Sequence, residues 1–411
     1  MFGERILAEN VKVSNDTRKT GLNNNDLIIG SSGCGKTGGY VIPNIQNIEG
    51  SLIVSDTKGQ LERRFKSFLI EKGYEVYNID LVNMNRSNGY NPLEFIGKNK
   101  DGSYSEKDIL SLANLLCPKF EAVEKDAFWR CSAASYVAFL ISFCLEAAPA
   151  KNHNLIHLAE IHRTFSAPKG DGQFTKWVED HPDSFASKKF KEVNATRNAD
   201  KTFSSIIAFV NQYLEPFEFK EAESIFGKAK KDNFDIRILG KQKTVVFLNN
   251  SDTDRTFDSI SNIFYSQVLR ILCAEADANE NGHLDVPVRL IMDDFASGAQ
   301  IPDFDKVISV IRSRGISVSL IIQSISQLES LYSKCISNTI INNCDHLIYM
   351  GSQDLDSANF VGNRAMKTPE TILTMPRNQV CLITAGEKAK FVEKIVPYST
   401  LNEREIGCLH I

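Results

Sequence analysis

The sequence has nine cysteines among its 411 residues, but it contains no C-x-x-C pair. The cysteines are scattered along the chain, and one of them, Cys34, lies inside a glycine-rich stretch. This distribution argues against a disulfide framework of the kind found in small secreted domains, and it gives no support to a zinc site. We therefore expect reduced thiols in a cytosolic setting.

The chain also lacks a strong charge of either sign. Its 47 lysines and arginines and its 51 aspartates and glutamates give a formal net charge of −4. Such a surface does not attract nucleic acid as a whole, so any contact with DNA has to come from a local basic patch. The apolar share of 42% and the charged share of 24% are those of an ordinary globular protein.

Long hydrophobic runs are missing as well. The best candidate, Cys131 to Leu145, has 15 uncharged residues between Arg130 and Glu146, whereas a membrane span needs about 20. This segment is therefore predicted to be a buried core helix. The first residues, MFGERILAENVKVSND, are mixed polar, which is not typical of a signal peptide. We find no internal repeat and no low-complexity tract.

Short apolar runs that end in turn residues recur along the chain and alternate with helical patterns. This alternation predicts an α/β fold, a doubly wound and mostly parallel sheet flanked by helices. The predicted strands are 25–30, 51–56, 75–80, 244–249, 288–294, 318–324, 346–351 and 379–385. The predicted helices beside them are 36–47, 59–72, 257–276, 303–313 and 324–333.

Between about residues 104 and 235 the strand signal disappears. Apolar residues there recur at three- and four-residue spacing, which is typical of amphipathic helices. We therefore predict an all-α domain at 104–235, inserted into a nucleotide-binding domain whose two parts are 1–103 and 236–411.

The stretch IIGSSGCGKTGGYVIPNI (28–45) fits the phosphate-binding pattern G-x-x-x-x-G-K-[ST], with a strand before it and a helix after it. In that context backbone N–H groups and the helix N-terminus point at one place, which suits phosphate oxygens. Lys36 is predicted to reach the β- and γ-phosphates of ATP, and the Thr37 hydroxyl to ligate Mg²⁺. The predicted nucleotide-binding residues are Gly30, Ser31, Ser32, Gly33, Cys34, Gly35, Lys36, Thr37 and Gly38.

A phosphate loop needs an acidic partner for its metal, and VRLIMDDFASG (288–298) offers two carboxylates at the end of an apolar strand. Asp293 is predicted to hold Mg²⁺ through water, and Asp294 to orient or deprotonate the attacking water. A rival candidate is Asp56, which also ends a predicted strand and follows the loop helix in the chain.

Three polar residues follow the acidic strand. Gln323 ends the next predicted strand, where it can sense the γ-phosphate, and Arg312 and Arg314 lie in the turn before that strand. An arginine at a subunit border can act on a neighbour's nucleotide, as arginine fingers do. The alternative for each arginine is a solvated surface charge.

Several short motifs occur in one order along the chain. They are GSSGCGKT, PNI, GSLIVSDTKGQL, GYEVYNID, NPL, FW, LIMDDFASGAQIPDF, RSRGISV and QSISQLE. The ordered set, which runs from about Asn25 to Val396, resembles the TraG/TraD-type coupling proteins of type IV secretion and conjugation. These belong to the wider FtsK/HerA group of RecA-like hexameric motors.

The resemblance implies a RecA-like P-loop NTPase core with an inserted all-α domain. It implies ATP and Mg²⁺ as cofactors and a ring of six subunits on the cytoplasmic face of the cell membrane. It also implies a receptor that delivers a relaxase–DNA complex, or effector proteins, to the inner-membrane components of a secretion channel. It further implies DNA binding without sequence specificity. Carried onto this chain, the family pattern assigns roles to Lys36, Thr37, Asp293 and Gln323, and the trans-acting role to Arg312 or Arg314.

Two departures from the family pattern matter. The family usually has Asp-Glu where this chain has Asp293-Asp294, and the shorter second side chain leads us to expect slow hydrolysis. The family usually begins with two membrane helices, and none is predicted in this sequence. We therefore expect this chain to be a soluble cytosolic part, either trimmed or naturally unanchored. A monomer in solution is compatible with this expectation. Two other functions stay open: a nucleotide-regulated substrate receptor with little ATP turnover, and a DNA-pumping motor outside secretion.

Basic clusters at 188–201 and 227–232 are candidate DNA contacts, although a solvated helical face is the favoured interpretation of both. Phe128 and Trp129 are predicted to lie in the core, not to stack on bases. Three histidines have partly helical spacing without a metal-binding carboxylate motif, and we interpret them as surface or core residues; they are His153, His157 and His162.

Overall fold

The computed structural model describes residues 3–117, 126–167, 170–197, 200–227, 232–251, 253–254, 256–296 and 300–395. By its contacts the chain divides into two compact units. Unit 1 comprises Met1–Tyr77, Ile236–Asp252 and Leu269–Ile411, and unit 2 comprises Asn78–Asp235 and Thr253–Val268.

The strands confirm the predicted α/β fold. In the described part of the chain they are β1 (Glu4–Ala8), β2 (Val11–Ser14), β3 (Asp26–Ile29), β4 (Ser51–Ser55), β5 (Glu75–Asp80), β6 (Thr244–Asn249), β7 (Val288–Met292), β8 (Ile316–Ile322), β9 (His346–Tyr349), β10 (Gln379–Thr384) and β11 (Lys390–Glu393). β1 and β2 pair antiparallel with each other. The others form a nine-stranded sheet over the described residues, in the order β11-β10-β9-β3-β8-β7-β4-β6-β5.

This large sheet is mostly parallel. All pairs from β9 to β6 are parallel, whereas β10 is antiparallel to both β9 and β11. Every residue of β3, β6, β8 and β9 is buried, because a parallel sheet covered by helices buries side chains on both faces. That double burial is the reason these strands read as continuous apolar runs in the sequence.

The helices agree with the predicted alternation. Over the described residues they are α1 (Thr17–Thr20), α2 (Ile42–Gln46), α3 (Gln60–Glu71), α4 (Glu106–Leu116), α5 (Asp126–Ala147), α6 (Leu155–Ser166), α7 (Gly172–Asp180), α8 (Phe185–Arg197), α9 (Asp200–Leu214), α10 (Glu223–Phe226), α11 (Asp258–Ala278), α12 (Phe304–Ile308), α13 (Ile325–Asn342), α14 (Leu355–Ala365) and α15 (Pro369–Leu373). The predicted helix 36–47 is a π-helical turn, Thr37–Val41, that continues into α2.

Unit 2 contains the predicted helical segment. Helices α4 to α10 lie between 104 and 235, and the described residues of this range contain no extended strand. The unit itself begins at Asn78 and also includes 253–268, a range that contains the first half of α11. The predicted domain border at 104 therefore falls inside unit 2, because the residues after β5 make their contacts with the helices. The domain assignment stays a prediction.

Helix α5 forms the centre of unit 2. It contacts α4, α6, α8 and α9, and the ring of Phe139 lies 5.1 Å from that of Phe165 and 5.6 Å from that of Phe190. In the part of the chain that the structure describes, one stretch, Phe128–Ala147 within α5, is long and apolar enough to cross a membrane, and 61% of it is buried. Its packing agrees with the predicted core helix.

Phe128 departs from prediction. Its side chain is 58% exposed and touches Trp129 edge-on, with ring centroids 5.1 Å apart. From Phe128 onward, the first buried position of α5 is Ala133, so Phe128 lies outside the aromatic core. The prediction of a core position for Phe128 was wrong.

Candidate nucleotide-binding site

The phosphate loop joins β3 to the helical turn at Thr37, and its two neighbouring strands fix its course. The Gly30 N–H donates to Ile322 O at 3.1 Å, and the Ser31 N–H donates to Gly351 O at 3.0 Å. Gly33 and Gly35 have φ of 75° and 92°, a region that residues with a Cβ rarely enter. The glycines therefore permit the tight turn that the motif requires.

Lys36 is folded back across the loop. Its side chain is 8% exposed, and its Nζ donates to Gly30 O at 2.7 Å and to Ser31 O at 3.2 Å. Both of these acceptors are neutral carbonyls, so neither places a counter-charge on the Lys36 side chain. A phosphate group that enters the loop competes for this donor with the two carbonyls, and its bond to lysine is the stronger because donor and acceptor then carry opposite charges.

Thr37 meets the acidic strand end. Its Oγ1 donates to Asp293 Oδ2 at 3.0 Å, so residues 256 positions apart in the sequence contact each other. Burial and the neighbouring Asp294 raise the pKa of Asp293, while the Thr37 hydroxyl and Lys36 oppose that rise. Hydroxyl and carboxylate oxygens are ligands that Mg²⁺ prefers, so the donor set at this contact fits that ion.

Asp294 has a backbone conformation that is unusual for a residue with a side chain. Its φ is 52°, which costs about 1 kcal/mol or more outside glycine. Two contacts hold it there: its N–H donates to Asp293 Oδ1 at 3.0 Å, and its Oδ1 accepts a hydrogen bond of 3.3 Å from Gln323 Nε2. Strain of this kind is typical of functional positions.

The strand order explains why these side chains meet. β8 lies between β3 and β7, and the carboxyl ends of parallel strands share one edge of the sheet. Gln323, at the end of β8, therefore lies between the phosphate loop and the acidic pair. The structure brings Lys36, Thr37, Asp293, Asp294 and Gln323 to one edge of the sheet, and their roles in nucleotide binding stay predictions.

Arg312 and Arg314 lie elsewhere. They precede β8, whose length places them about 20 Å from the loop at the opposite edge of the sheet. Arg314 binds Asp277 through Nε at 2.7 Å and Nη2 at 3.0 Å. Exposed Arg312 donates instead to Gly21 O at 2.9 Å. Neither arginine joins the site of its own chain.

The rival acidic residue, Asp56, has a structural task. It is 3% exposed and accepts the backbone N–H groups of Gln60 at 3.0 Å and Glu62 at 2.9 Å. Burial raises the pKa of Asp56, and these hydrogen bonds oppose the rise. The carboxylate therefore caps the N-terminus of α3.

Sequence reasoning missed a buried polar cluster beneath the loop. Asp26, which is fully buried, pairs with Arg5 at 2.9 Å and with Arg289 at 3.3 Å. Tyr40, in the helical turn after the loop, donates its hydroxyl to Asp26 Oδ2 at 2.6 Å and lies 2.8 Å from Ser319 Oγ. No local pattern marks these residues, because they meet only through the strand order.

Three basic residues of the candidate DNA-binding clusters pair with carboxylates, and parts of both clusters lie outside the described residues. On α8, Lys188 lies 3.3 Å from Glu106, Lys189 lies 2.7 Å from Glu192, and Arg197 pairs with Asp171. Residues 198–199 of the first basic cluster and 228–231 of the second lie outside the described residues.

The three histidines each have their own partners. His162 is buried between the Tyr136 hydroxyl at 2.9 Å and Asn211 Oδ1 at 2.7 Å. His157 lies 2.8 Å from Glu160, and the Nε2 of His153 lies 2.9 Å from Ala148 O. These partners agree with surface or core positions.

A phosphate loop between a parallel strand and a helix, with an acidic strand end separated from it by one strand, gives the chain the fold of a P-loop NTPase. A family model extends this classification. The chain belongs to the family described as type IV secretory system conjugative DNA transfer, whose model matches residues 4–364. The predicted resemblance is thereby confirmed.

Individual relatives are distant in sequence. The conjugal transfer protein TraG of Rhizobium radiobacter is 20% identical over 388 residues, which cover 92% of this chain and 58% of that protein. The protein VirD4 of Agrobacterium fabrum strain C58 is 22% identical over 344 residues, which cover 82% of this chain and 48% of that protein. The chain thus spans about half the length of the curated relatives that it matches.

Solved structures with the same fold include two of the plasmid coupling protein TrwB. The unbound TrwBdeltaN70 structure has a TM-score of 0.68 at 14% identity and covers 95% of this chain and 88% of that one. The TrwB complex with ADP and Mg²⁺ has a TM-score of 0.65 at 14% identity and covers 90% and 84%. VirB4 of Thermoanaerobacter pseudethanolicus has a TM-score of 0.58 at 12% identity and covers 98% and 97%.

Proposed function

We propose that this chain binds ATP with Mg²⁺, hydrolyses it, and acts as a coupling protein of a type IV secretion or conjugation system. In that role it recruits a relaxase–DNA complex or a protein substrate to the channel and supplies energy for its transfer. The observation that carries the proposal is the contact of Thr37 with Asp293 beside Lys36, at the carboxyl edge of the sheet. Family membership and the TrwB complexes with nucleotide support it.

Each residue of the site has a task in this proposal. Lys36 turns from Gly30 O and Ser31 O to the β- and γ-phosphates, while loop N–H groups hold the same oxygens. Thr37 and Asp293 would hold Mg²⁺, which neutralises charge on the phosphates when it is bound. Asp294 orients the attacking water and accepts its proton, and Gln323 orients the Asp294 carboxylate.

A second function, a nucleotide-regulated receptor with little turnover, is favoured by one observation. Residue 294 is an aspartate, whose side chain is one methylene shorter than the glutamate usual in the family. Its carboxylate accepts a hydrogen bond of 3.3 Å from Gln323, and its backbone is in the left-handed conformation. Asp294→Glu extends the carboxylate by one methylene. A clear rise in ATP turnover with Asp294→Glu supports slow hydrolysis in the natural chain, whereas good wild-type turnover that the change does not raise rejects this reading.

The trans-acting arginine of a ring is proposed to be Arg312. Bidentate pairing with Asp277 neutralises Arg314 and raises its pKa. Arg312 is exposed and meets only neutral carbonyls, so its charge is available to a neighbour. A group about 20 Å from its own loop can serve only the nucleotide of another subunit, which agrees with a homo-hexamer.

The proposed partners are DNA bound without sequence preference, a relaxase or effector proteins, and the channel at the cytoplasmic face of the membrane. Pairing of Lys188, Lys189 and Arg197 with carboxylates leaves α8 with little free positive charge, so DNA binding by this helix is expected to be weak. A DNA-pumping motor outside secretion differs in its gene neighbourhood, where relaxase and channel genes favour coupling.

ATP hydrolysis with and without DNA tests the main proposal. Lys36→Ala is expected to abolish turnover, because it removes the charge that reaches the phosphates. Lys66→Ala is the matched control, since Lys66 is exposed on α3 and pairs with Glu62. An oligomeric wild-type preparation that binds no ATP in the presence of Mg²⁺ refutes the proposal.

A further inference from the structure

A second lysine reaches the phosphate loop from the far end of the chain. Lys394 follows the edge strand β11, and its half-buried side chain donates from Nζ to Cys34 O at 3.0 Å and to Met350 O at 2.9 Å. Cys34 lies inside the loop, and Met350 follows β9. Lys394 therefore ties the second half of the loop to the sheet, as the Ser31–Gly351 bond ties the first half.

The backbone around Lys394 is well fixed. Its N–H donates to Asn378 O at 2.7 Å, and β11 pairs with β10 up to the preceding residue, Glu393. The next residue, Ile395, is 4% exposed, and its carbonyl oxygen lies 3.5 Å from the place that a Cβ on Gly39 would take. The Lys394–Ile395 segment thus covers both the loop and the helical turn that the loop opens.

The charge of Lys394 has no carboxylate among the acceptors that its Nζ contacts. Both acceptors are neutral carbonyls, and burial lowers the pKa of Lys394. Lys390, the first residue of β11, differs: it lies 2.6 Å from Glu387 and is exposed. Lys394 therefore brings positive charge to an anion-binding loop, whereas the charge of Lys390 is neutralised.

The contact with Cys34 O also acts on the loop directly. This carbonyl belongs to the peptide whose N–H is that of Gly35, one of the loop donors. A hydrogen bond from the lysine ammonium to this carbonyl restrains the orientation of the peptide plane. It also polarises the peptide, which makes the Gly35 N–H a stronger donor. The same bond thus orients and strengthens a donor for phosphate.

We propose that Lys394 is a positioning residue for the nucleotide phosphates, which holds the Cys34–Gly35 peptide in its phosphate-binding orientation and adds positive charge beside it. The inference rests on the proposed function of the loop as a nucleotide site. Lys36 differs in that it leaves its carbonyls to bind phosphate, whereas Lys394 keeps its two carbonyl contacts throughout.

The test compares Lys394→Met, which keeps the length of the side chain, with Lys394→Arg and with Lys390→Met as the matched control. Each full-length variant is titrated with a fluorescent ADP analogue and Mg²⁺. Lys394→Met is expected to raise the Kd on the order of 10-fold, the effect of losing a charged hydrogen bond. Lys394→Arg, which keeps the charge and two donors, and Lys390→Met are each expected to stay within about threefold of the wild type.

A kinetic readout separates positioning from plain structural support. In ATP hydrolysis Lys394→Met is expected to raise KM with little change in kcat, because Lys394 does not touch the reacting atoms. The melting temperature without nucleotide is measured for every variant, and should differ little between Lys394→Met and Lys394→Arg. If Lys394→Met does not fold, the Kd of Lys394→Gln is compared with that of Lys394→Arg, because glutamine is neutral but still a donor. Weaker nucleotide binding by Lys394→Gln supports the role of charge.

Three results overturn the inference: wild-type affinity in Lys394→Met, an equal loss in Lys390→Met, or a loss in Lys394→Met and Lys394→Arg alike that follows their melting temperatures. Failure of the proposed function looks different. In that case the wild type itself does not bind the ADP analogue, or Lys36→Ala binds it unchanged, and the inference about Lys394 falls with the site.

Discussion

The buried carboxylate Asp26 offers the sharpest test of what holds the nucleotide-binding unit together. It is fully buried and is the partner of both Arg5 and Arg289, and it also accepts the Tyr40 hydroxyl. Asp26→Asn keeps the shape of the side chain and removes its charge. Two arginines then remain in the interior without the carboxylate that they share.

The expected loss follows from that uncompensated charge. Removing one partner of a buried ion pair costs about 3–5 kcal/mol of unfolding free energy. For a unit of this size that loss lowers the melting temperature by roughly 6–20 °C. Asp16→Asn is the matched control: Asp16 caps α1 by accepting the Arg18 N–H, and asparagine caps a helix as well as aspartate does.

The pH dependence gives an independent check with a defined sign. Burial alone raises the pKa of Asp26, but Arg5, Arg289, His346 and Tyr40 together outweigh it, so the folded-state pKa lies below the ordinary value. A carboxylate with a lowered pKa stabilises the fold fully above its unfolded pKa of about 3.9. That contribution is lost as the pH falls through the folded-state pKa.

The assay is thermal and urea unfolding followed by circular dichroism between pH 7 and pH 3. The gap between wild type and Asp26→Asn is expected to be constant down to about pH 5 and to shrink below about pH 4. Replacing Arg5 and Arg289 with methionine in the Asp26→Asn background should recover stability, because no unpaired charge then remains. A difference in unfolding free energy below about 1 kcal/mol at pH 7, or one that is unchanged at pH 3, would contradict a stabilising charge on Asp26.

Three further outcomes are expected. Arg312→Ala should lower the ATP turnover of the assembled protein about 100-fold or more with unchanged nucleotide affinity, whereas Arg314→Ala should change the turnover little. Mixing Arg312→Ala subunits with Lys36→Ala subunits should restore part of the activity. No recovery on mixing argues against action in trans. Phe139→Ala should destabilise unit 2 by about 3–5 kcal/mol in urea unfolding, because the ring packs against several others; a loss below about 1 kcal/mol would contradict this packing. Asp56→Ala should cost about 0.5–2 kcal/mol through the lost cap of α3, and full ATP turnover after this change, measured below its melting temperature, would support a structural role for Asp56.

Local sequence patterns predicted most of the strands at the centre of the sheet. The buried strands β3, β4, β6, β7, β8 and β9 were all predicted, because burial on both faces leaves an apolar run in the sequence. The hairpin of β1 and β2 and the edge strand β11 were not predicted. These strands are short and only partly buried, so their composition carries little of that signal.

The phosphate loop could be predicted from local sequence, because its glycines, Lys36 and Thr37 lie within eight consecutive residues. The sequence also identified Asp293, Asp294 and Gln323 as strand ends, although not their order in space. Three features became visible only in the folded chain: β8 lies between β3 and β7, Asp56 caps a helix, and Lys394 contacts Cys34, which is 360 positions away in the sequence. The physical reason is that strand order and side-chain pairing depend on contacts between distant segments, which leave no periodic trace in the chain.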